Sequence, residues 1–381
     1  MPVIPRLTAS LAAAVLLSPP GYPTYTRSLQ LETTADTSAN VSIGDVDGDG
    51  KLDLLLIKGR HWPGMSRVLL GDGQGHFAAG YDLTGARYRS YSGNLVDLDG
   101  DGALDVILSN DTPDPKVILL NDGKGHFRLA EPFGQPAWGT RNVAVADLDG
   151  DRQPDIVVAN RANRATQYIC LNRGKGRFDA SCTGFADYSA TTITPVDING
   201  DGSIDLVVPH RDGGQSYVYL NEGSANFSTA RRVPFGPPNA SVRMAAVSDL
   251  DGDGVLDIAV IDDQRRAVEV YYGTRAGGFG PGIPVTTGKA TPYALAIADL
   301  NRDGHPDLLA GFVEAPSAAF FGEGVKGRFT RVTFGDSRGA VYGFAVADLD
   351  GDGNLDIAAA RSEAPSMVYF AEKDPAQAPP P

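Results

Sequence analysis

The chain alternates short apolar runs with loops rich in Asp and Gly. Typical runs are Asn142–Ala146 and Asp155–Val158, whose length is that of short strands rather than helices. A Gly-rich turn ending in Phe, as at 69–77 and 119–127, then separates two further runs, which is the pattern of a β-hairpin. The sequence therefore predicts an all-β protein whose repeated unit is an inner strand, a loop, a second strand and a hairpin.

Each unit carries an acidic loop between its first and second strands, with Asp or Asn at positions 1, 3, 5 and 9. A spacing of 49 to 52 residues between loops is close to the length of one propeller blade. Seven units of four strands predict a seven-bladed β-propeller of four-stranded blades over residues 25–371. The loops begin at Asp45, Asp97, Asp147, Asp197, Asp249, Asp299 and Asp348.

Closure of the ring requires one additional strand, because the seventh unit ends at Ala371 after only three strands. The segment Tyr25–Glu32 precedes the first unit and has the same phase as the fourth strand Phe127–Glu131. We predict that this N-terminal strand completes the last blade, which would remove the exposed sheet edges. Residues 372–381 are rich in Pro and Ala and are predicted to be a tail.

The acidic loops are predicted to bind up to seven Ca²⁺ ions. Oxygen ligands at alternate positions of a short turn suit Ca²⁺, which takes about six to eight oxygens, better than Mg²⁺. The alternative is a set of hydrated acidic turns, but seven copies in register argue against it. Side chains at positions 1, 3, 5 and 9 and the carbonyl of position 7 are the expected ligands. They are Asp45, Asp47, Asp49, Lys51 and Asp53; Asp97, Asp99, Asp101, Ala103 and Asp105; Asp147, Asp149, Asp151, Gln153 and Asp155; Asp197, Asn199, Asp201, Ser203 and Asp205; Asp249, Asp251, Asp253, Val255 and Asp257; Asp299, Asn301, Asp303, His305 and Asp307; and Asp348, Asp350, Asp352, Asn354 and Asp356.

Position 6 of the acidic loop is Gly in six of the seven copies. A sharp turn at this position needs a residue that accepts a positive φ without steric cost. Arg152 replaces Gly in the third loop. We therefore predict that the third loop is strained or binds its ion more weakly.

The acidic loop followed by the Gly-rich hairpin resembles the FG-GAP and VCBS repeat superfamily, the propeller type also found in integrin α-subunit heads. The resemblance covers most of the chain and implies Ca²⁺ binding in the loop that joins the first two strands of a blade. The pattern departs from that of integrins, which carry the loop in only some blades and have Gly-Ala-Pro after the second strand. Bacterial-type secreted VCBS repeat proteins are therefore the nearer resemblance.

Charge and the N-terminus bear on location and partners. The formal net charge is −14, and the seven loops hold 26 of the 47 acidic residues, so seven divalent ions would bring the total to zero. An apolar stretch over 7–17, preceded by Arg6, predicts a signal peptide within residues 1–20, the alternative being a disordered leader. We expect a secreted, periplasmic or cell-surface monomer that neither binds nucleic acid nor inserts into a membrane.

The two cysteines, Cys170 and Cys182, flank a hairpin turn. They could form a disulfide, which would fit an oxidising compartment, or remain two free thiols.

Ligand binding is predicted at the end of the ring opposite the acidic loops. The residues six positions before each first Asp begin the inner strands, and neighbouring loops vary between units, as binding loops on a rigid scaffold do. Aromatic and Arg side chains suit an anionic glycan or a protein surface. The alternative is that these are ordinary solvated residues and aromatics that cover seams between blades. The candidate ligand-binding residues are Tyr91, Arg141, Arg243, Tyr293, Tyr342, Trp62 and Trp138.

The sequence favours a binding module over an enzyme. It contains no nucleophile elbow, phosphate-binding loop or zinc-protease motif. The preferred interpretation is a secreted calcium-binding adhesion module for a glycan or protein. The alternatives are a calcium-stabilised scaffold within a larger assembly, or a carbohydrate-active enzyme such as a polysaccharide lyase with His61 or His210 as its base.

Overall fold

Thirty β-strands and no helix are found in the part of the chain that the computed structural model describes, residues 21–78, 80–162, 165–178, 182–227, 231–286 and 288–372. The predicted signal peptide and nearly all of the predicted tail lie outside these residues. Within them, no helix has the length and apolar character needed to cross a membrane. The strands are β1 (Ser28–Gln30), β2 (Asp36–Gly44), β3 (Asp53–Lys58), β4 (Arg67–Leu69), β5 (Tyr81–Asp82), β6 (Ser90–Val96), β7 (Asp105–Asn110), β8 (Val117–Asn121), β9 (Phe127–Leu129), β10 (Thr140–Ala146), β11 (Asp155–Asn160), β12 (Gln167–Cys170), β13 (Thr183–Ala186), β14 (Thr194–Val196), β15 (Asp205–Val208), β16 (Ser216–Tyr219), β17 (Arg232–Phe235), β18 (Val242–Ser248), β19 (Asp257–Asp262), β20 (Ala267–Tyr271), β21 (Gly273–Thr274), β22 (Gly278–Phe279), β23 (Ile283–Pro284), β24 (Thr291–Ala298), β25 (Asp307–Val313), β26 (Ser317–Gly322), β27 (Phe329–Phe334), β28 (Ala340–Ala347), β29 (Asp356–Ala364) and β30 (Met367–Tyr369).

The strands pair in four-stranded antiparallel sets, which we call blades 1 to 7 in chain order. Blade 1 is β2 to β5, blade 5 is β18, β19, β20 and β23, and blade 7 is β28, β29, β30 and β1. The innermost strand of each blade contacts the innermost strands of both neighbours, and β2 contacts β28, which closes the ring. The predicted all-β propeller is therefore confirmed.

The N-terminal strand closes the ring as predicted. In β1, Leu29 pairs with Val368 of β30, so a strand from one end of the chain completes the blade formed by the other end. Glu32 and Asp36 both pair with the ammonium group of Lys58, a buried residue of blade 1. The N-terminal segment is therefore joined to blade 7 by backbone pairing and to blade 1 by the ion pair between Glu32 and Lys58.

Apolar side chains fill the spaces between adjacent blades in seven clusters, one at each junction. The second strand of each blade is buried on both faces, as in β3 and β7, which explains why these strands read as continuous apolar runs. The recurring Phe of the hairpin packs at the junction with the preceding blade, as Phe127 does against the cluster that contains Val46 and Val106.

The hairpin of blade 3 contains the two cysteines of the chain. Cys170 ends β12, Cys182 immediately precedes β13, and the two are joined by a disulfide. Of the two alternatives that the sequence allows, the structure contains the bonded one. This crosslink closes a short loop within one blade.

Candidate metal loops and ligand-binding face

The acidic loops fold as tight turns held by their own carboxylates. In the first loop, the two oxygens of Asp45 accept hydrogen bonds from the backbone N–H groups of Gly48 (2.8 Å) and Gly50 (2.9 Å). The carboxylates at positions 3 and 5 each accept a bond from the N–H two residues later. These bonds use one lone pair of each bonded oxygen, so each loop presents its carboxylates with acceptor capacity remaining.

The Asp at position 9 has a role that the sequence did not reveal. Asp53 accepts one hydrogen bond from the N–H of Val46 in its own loop and another from the N–H of Gly71 in the hairpin, each at 2.9 Å. The same pair of bonds recurs in every blade, so this buried carboxylate joins the acidic loop to the hairpin. The seven residues are Asp53, Asp105, Asp155, Asp205, Asp257, Asp307 and Asp356.

Burial of the position-9 carboxyls raises their pKa. The pKa rises to about 6 for Asp105 and to about 7 for Asp307, because burial and then the neighbouring carboxylates outweigh the two backbone hydrogen bonds. Both causes disfavour the charged form of the group. A cation bound in the loop would offset the negative charge that these carboxylates carry when ionised.

Five loops bring three carboxylate oxygens within 4.8 Å of one another. The other two loops, which begin at Asp197 and Asp299, have Asn at position 3. Their amides, in Asn199 and Asn301, still offer an oxygen but carry no charge. The side chains at positions 1, 3, 5 and 9 of every loop are Asp or Asn and offer oxygen atoms, which fits a hard cation such as Ca²⁺. The five clusters are Asp45, Asp47 and Asp53; Asp97, Asp99 and Asp101; Asp147, Asp149 and Asp155; Asp249, Asp251 and Asp257; and Asp348, Asp350 and Asp356.

Two acidic loops contain an Arg in the left-handed conformation. Arg152 at position 6 has a φ of 69°, and its N–H still bonds to Asp147 at 2.8 Å, so the loop keeps the common shape. Arg302 at position 4 of the sixth loop has a φ of 59°, where six loops have Gly. The structure thus adds a second strained position, which the sequence analysis overlooked.

Replacing Arg152 with Gly is expected to stabilise the protein by up to about 1 kcal/mol, because the left-handed strain of a residue with a Cβ is removed. The Arg152→Ala variant is the matched control, since it removes the same charge but keeps the Cβ and its strain. Urea unfolding of the three proteins at one Ca²⁺ concentration measures the difference. Equal stability of the Gly and Ala variants would contradict the strain argument.

Asn side chains in three hairpins connect neighbouring blades. The Nδ2 of Asn121 donates to the carbonyl of Val46, in the acidic loop of blade 1, at 2.8 Å. Asn172 and Asn221 make the equivalent bond to the loops of blades 2 and 3. The repeated Leu-Asn-x-Gly sequence of these hairpins was the available signal. Only the fold shows that the Asn side chain reaches the preceding blade.

A bulge marks the start of the inner strand in six blades. The register with the second strand shifts at the residue six positions before the first Asp, as at Tyr91 and Arg141. A bulge redirects a side chain, and here it lies at the end of the strand opposite the acidic loop. Blade 4 is the exception, because its inner strand β14 begins only at Thr194.

The bulged residues of neighbouring blades contact one another. The guanidinium of Arg243 lies 3.5 Å from the ring centre of Tyr293, whose ring meets that of Tyr342 edge-on at 4.6 Å. The guanidinium of Arg141 lies 4.3 Å from the ring centre of Tyr91. The residues that the sequence assigned to one end of the ring are thus in contact in two groups.

Two loop residues join these groups. The guanidinium of Arg60 lies 3.8 Å from the ring centre of Tyr342, and a ring nitrogen of His61 lies 3.0 Å from the Tyr91 hydroxyl. We call the whole set the channel-mouth belt. It consists of Arg60, His61, Tyr91, Arg141, Arg243, Tyr293 and Tyr342.

Positive charge exceeds negative charge in the channel-mouth belt. Arg141 pairs with Asp111 at 2.6 Å, and Arg243 makes two 3.0 Å bonds to Asp263. Arg60 donates to the Ser362 hydroxyl, and no carboxylate among the described residues lies within ion-pair distance of it. Arg60 is therefore available to an anionic ligand.

The cations of the belt act on two of its titrating groups, Tyr293 and His61. Burial alone would raise the pKa of Tyr293, but the cation of Arg243 and a hydrogen bond from Tyr342 outweigh burial and lower it. Burial, reinforced by Arg141 and Arg60, lowers the pKa of His61, so its ring is neutral at pH 7. Both shifts are those expected beside surplus cations.

The remaining candidates lie apart from these contacts. Trp62 is 74% exposed on the loop that carries His61. Trp138 stacks on Tyr168 with ring centres 4.1 Å apart and packs at the junction of blades 2 and 3. His210 is buried and lines a different cavity. The two histidines considered as a lyase base therefore do not share one site.

Fold and loops together define a β-propeller whose blades each carry an acidic loop. A sequence profile described as an FG-GAP-like repeat matches residues 45–108, 97–158, 147–208, 197–260 and 249–310, well over half of the chain. The chain belongs to the FG-GAP-like repeat family.

Curated relatives include integrin α subunits. Integrin alpha-7 of Rattus norvegicus is 32% identical over 150 residues, which cover 34% of this chain and 13% of that protein. Integrin alpha-4 of Xenopus laevis is 27% identical over 163 residues, which cover 37% and 16%. The chain thus spans a small fraction of the length of these relatives.

Solved structures share the fold over nearly the whole chain. A lectin of Agrocybe aegerita that recognises non-reducing terminal N-acetylglucosamine is 20% identical with a TM-score of 0.56, covering 87% of each chain. BBS1N, solved in complex with ARL6DN, is 12% identical with a TM-score of 0.61, covering 93% of this chain and 98% of its own. At these identities the likeness shows the fold alone.

Proposed function

We propose that this protein is a calcium-stabilised binding module that holds a glycan or protein ligand at the channel-mouth belt. The observation that carries the proposal is the belt itself, in which three guanidinium groups and three phenols from different blades converge at one end of a rigid ring. Guanidinium groups pair with carboxylates, and aromatic rings offer apolar faces beside a polar handle. This chemistry suits an acidic ligand.

Similarity supports a role in adhesion or ligand binding. The chain belongs to a repeat family that it shares with integrin α subunits. A lectin of similar fold recognises a terminal sugar, which supports the idea that such a ring can carry a glycan site. These relations support a binding protein.

The acidic loops are proposed to bind Ca²⁺ at the opposite end of the ring. Their all-oxygen donor sets and clustered carboxylates support this assignment. The position-9 Asp would connect each ion to both the loop and the hairpin, so that cation binding stiffens the blade. The disulfide supports an oxidising compartment, in agreement with a secreted, periplasmic or cell-surface location.

The belt is tested by replacing Arg243 with Gln and measuring binding to an array of acidic and neutral oligosaccharides. We expect about tenfold or greater loss of binding, the effect of losing a charge-assisted contact of roughly 1.5 to 3 kcal/mol. The variant should fold, because Asp263 keeps its second partner, Arg211. Arg331→Gln is the matched control, since Arg331 is exposed on the outer strand β27 and also faces an aromatic ring.

Experiments with the wild type and its variants also distinguish a glycan ligand from a protein ligand, a scaffold role and a lyase activity. Proteins captured by the wild type and the control but not by Arg243→Gln would favour a protein ligand. Binding that is absent throughout, with a strong cation effect on stability, would favour the scaffold. Release of unsaturated sugars from an acidic polysaccharide, lost in His61→Gln, would favour the lyase.

A further inference from the structure

A cavity of about 690 Å³ opens between blades 3 and 4 and shares no lining residue with the channel-mouth belt. It is formed where the inner strand of blade 4 is short: β14 has three residues, whereas the inner strands of the other blades have seven to nine. Residues 190–193, which occupy positions of the inner strand in the other blades, form no strand. The lining of the cavity includes Asp187, Tyr188 and Ser189, which lead into this irregular segment.

Aromatic rings line this cavity. Phe185 and Tyr219 meet edge to face with ring centres 5.5 Å apart, and both are buried. Tyr188 is 46% exposed at the rim and stacks on the buried ring of His210 at 4.5 Å. The cavity therefore has a rigid apolar wall and one aromatic ring open to solvent.

A cation without a carboxylate partner faces the same cavity. The guanidinium of Arg232 lies 4.0 Å from the ring centre of Tyr217. Within the described residues, no carboxylate is within ion-pair distance of Arg232, whereas the adjacent Arg231 pairs with Glu222. Arg232 can therefore pair with an anionic group that enters the cavity.

The other polar groups of the cavity are carboxylates, which accept hydrogen bonds, and a histidine, which can donate and accept them. Asp187 and Asp212 lie at its edge, and Asp212 also pairs with Arg161 at 3.1 Å. Neither ring nitrogen of His210 makes a hydrogen bond of normal geometry, although the backbone of Gln215 is nearby. Burial lowers the pKa of His210 to about 4, so the neutral ring can donate one bond and accept another at pH 7.

We propose that this cavity binds a hexuronic acid unit of an acidic glycan. The apolar face of a pyranose ring would lie against Tyr188, its carboxylate would pair with Arg232, and its hydroxyls would bond to Asp187, Asp212 and His210. Arg161 pairs with Asp212, so the cavity offers one guanidinium without a carboxylate partner among the described residues, that of Arg232, and this matches a monoanion rich in hydroxyl groups better than a phosphate dianion. This site goes beyond the proposed function, because it does not use the channel-mouth belt.

The test measures binding of glucuronate and galacturonate by titration calorimetry, with glucose and galactose as neutral counterparts. We expect the uronates to bind about tenfold or more tightly than the neutral sugars. Arg232→Gln should remove that preference, whereas the neighbouring Arg231→Gln should keep it. Tyr188→Ala should weaken binding about tenfold, and Tyr188→Phe, which keeps the ring, should not.

Two comparisons make the proposal refutable. Arg331→Gln, on the exposed outer strand β27 and outside both sites, should leave uronate affinity unchanged. If Arg243→Gln lost uronate binding while Arg232→Gln and Tyr188→Ala kept it, the cavity would be overturned and the channel-mouth proposal would be strengthened. If the wild type bound no uronate, or bound it no better than the neutral sugar, the cavity proposal would fail, and the oligosaccharide array would still judge the channel mouth. Because Tyr188 is 46% exposed at the rim, its variants test the site even if Arg232→Gln unfolds.

Discussion

Removal of divalent cations with a chelator is expected to lower the melting temperature by about 15 °C. A site at 100 times its dissociation constant contributes about 2.7 kcal/mol to the folded state. Five loops gather three carboxylates each, so their ions together would contribute as much as the whole stability of a typical domain, about 5 to 15 kcal/mol. For a chain of this length, each kcal/mol corresponds to roughly 1 to 2 °C. Thermal unfolding with and without chelator gives the value.

Adding ions back distinguishes a specific site from general screening. Ca²⁺ should restore the melting temperature at lower concentration than Mg²⁺, since Mg²⁺ requires near-octahedral geometry and gives up its water reluctantly. Replacing Asn199 with Asp should raise the Ca²⁺ affinity of the fourth loop, and replacing Asp251 with Asn should lower that of the fifth. An unchanged melting temperature in chelator, together with a metal-free mass under native conditions, would refute the assignment of the loops.

The repeat could be predicted because its signals are local. Asp, Gly and Phe recur at fixed positions, and each acts within a few residues of itself, in a turn, a strand or a hairpin. One loop bond, from Gly50 to Asp45, spans five residues. The closing strand was also predictable, because the last repeat lacks its fourth strand and one extra strand precedes the first repeat.

The chemistry of the ligand face was less predictable because its contacts are distant in the chain. Arg60 lies over Tyr342, and the partners of Arg141 and Arg243 are Asp111 and Asp263, in loops whose sequences do not repeat. The sequence placed the bulged residues at one end of the ring but could not pair them. The double role of the position-9 Asp was hidden for the same reason, since its hairpin partner is 15 to 18 residues away.

The cavity between blades 3 and 4 lies beside the fourth repeat, whose inner strand is shorter than those of the other repeats. The fourth repeat keeps its acidic loop and its spacing, so the periodic signal does not reveal that its inner strand begins late. The recess is lined by Asp187, Tyr188 and Ser189, which precede the missing strand pairing at residues 190–193. Repetition thus predicts the scaffold, and departures from repetition mark the places where individual function can arise.

Deletion of residues 25–32 is expected to abolish cooperative folding. The deletion removes β1 and the buried Tyr25, exposes the edge of β30, and leaves the buried Lys58 with Asp36 alone. Breaking a buried ion pair costs about 3 to 5 kcal/mol by itself. An open edge also favours association between molecules. Thermal unfolding and size-exclusion chromatography should therefore show a broad transition and aggregates.

Adding the deleted strand back as a separate peptide shows whether its absence causes the loss of cooperative folding. A synthetic peptide of residues 22–34 should restore a sharp transition, because β1 binds through backbone pairing with β30 and through Glu32 to Lys58. The same peptide with Leu29→Pro is the control, since Pro at a paired position cannot donate to the ladder. A truncated protein that unfolds cooperatively at the wild-type temperature without any peptide would mean that the ring is held by contacts between blades alone. The N-terminal strand would then be an accessory to a ring whose inner strands already close through β2 and β28.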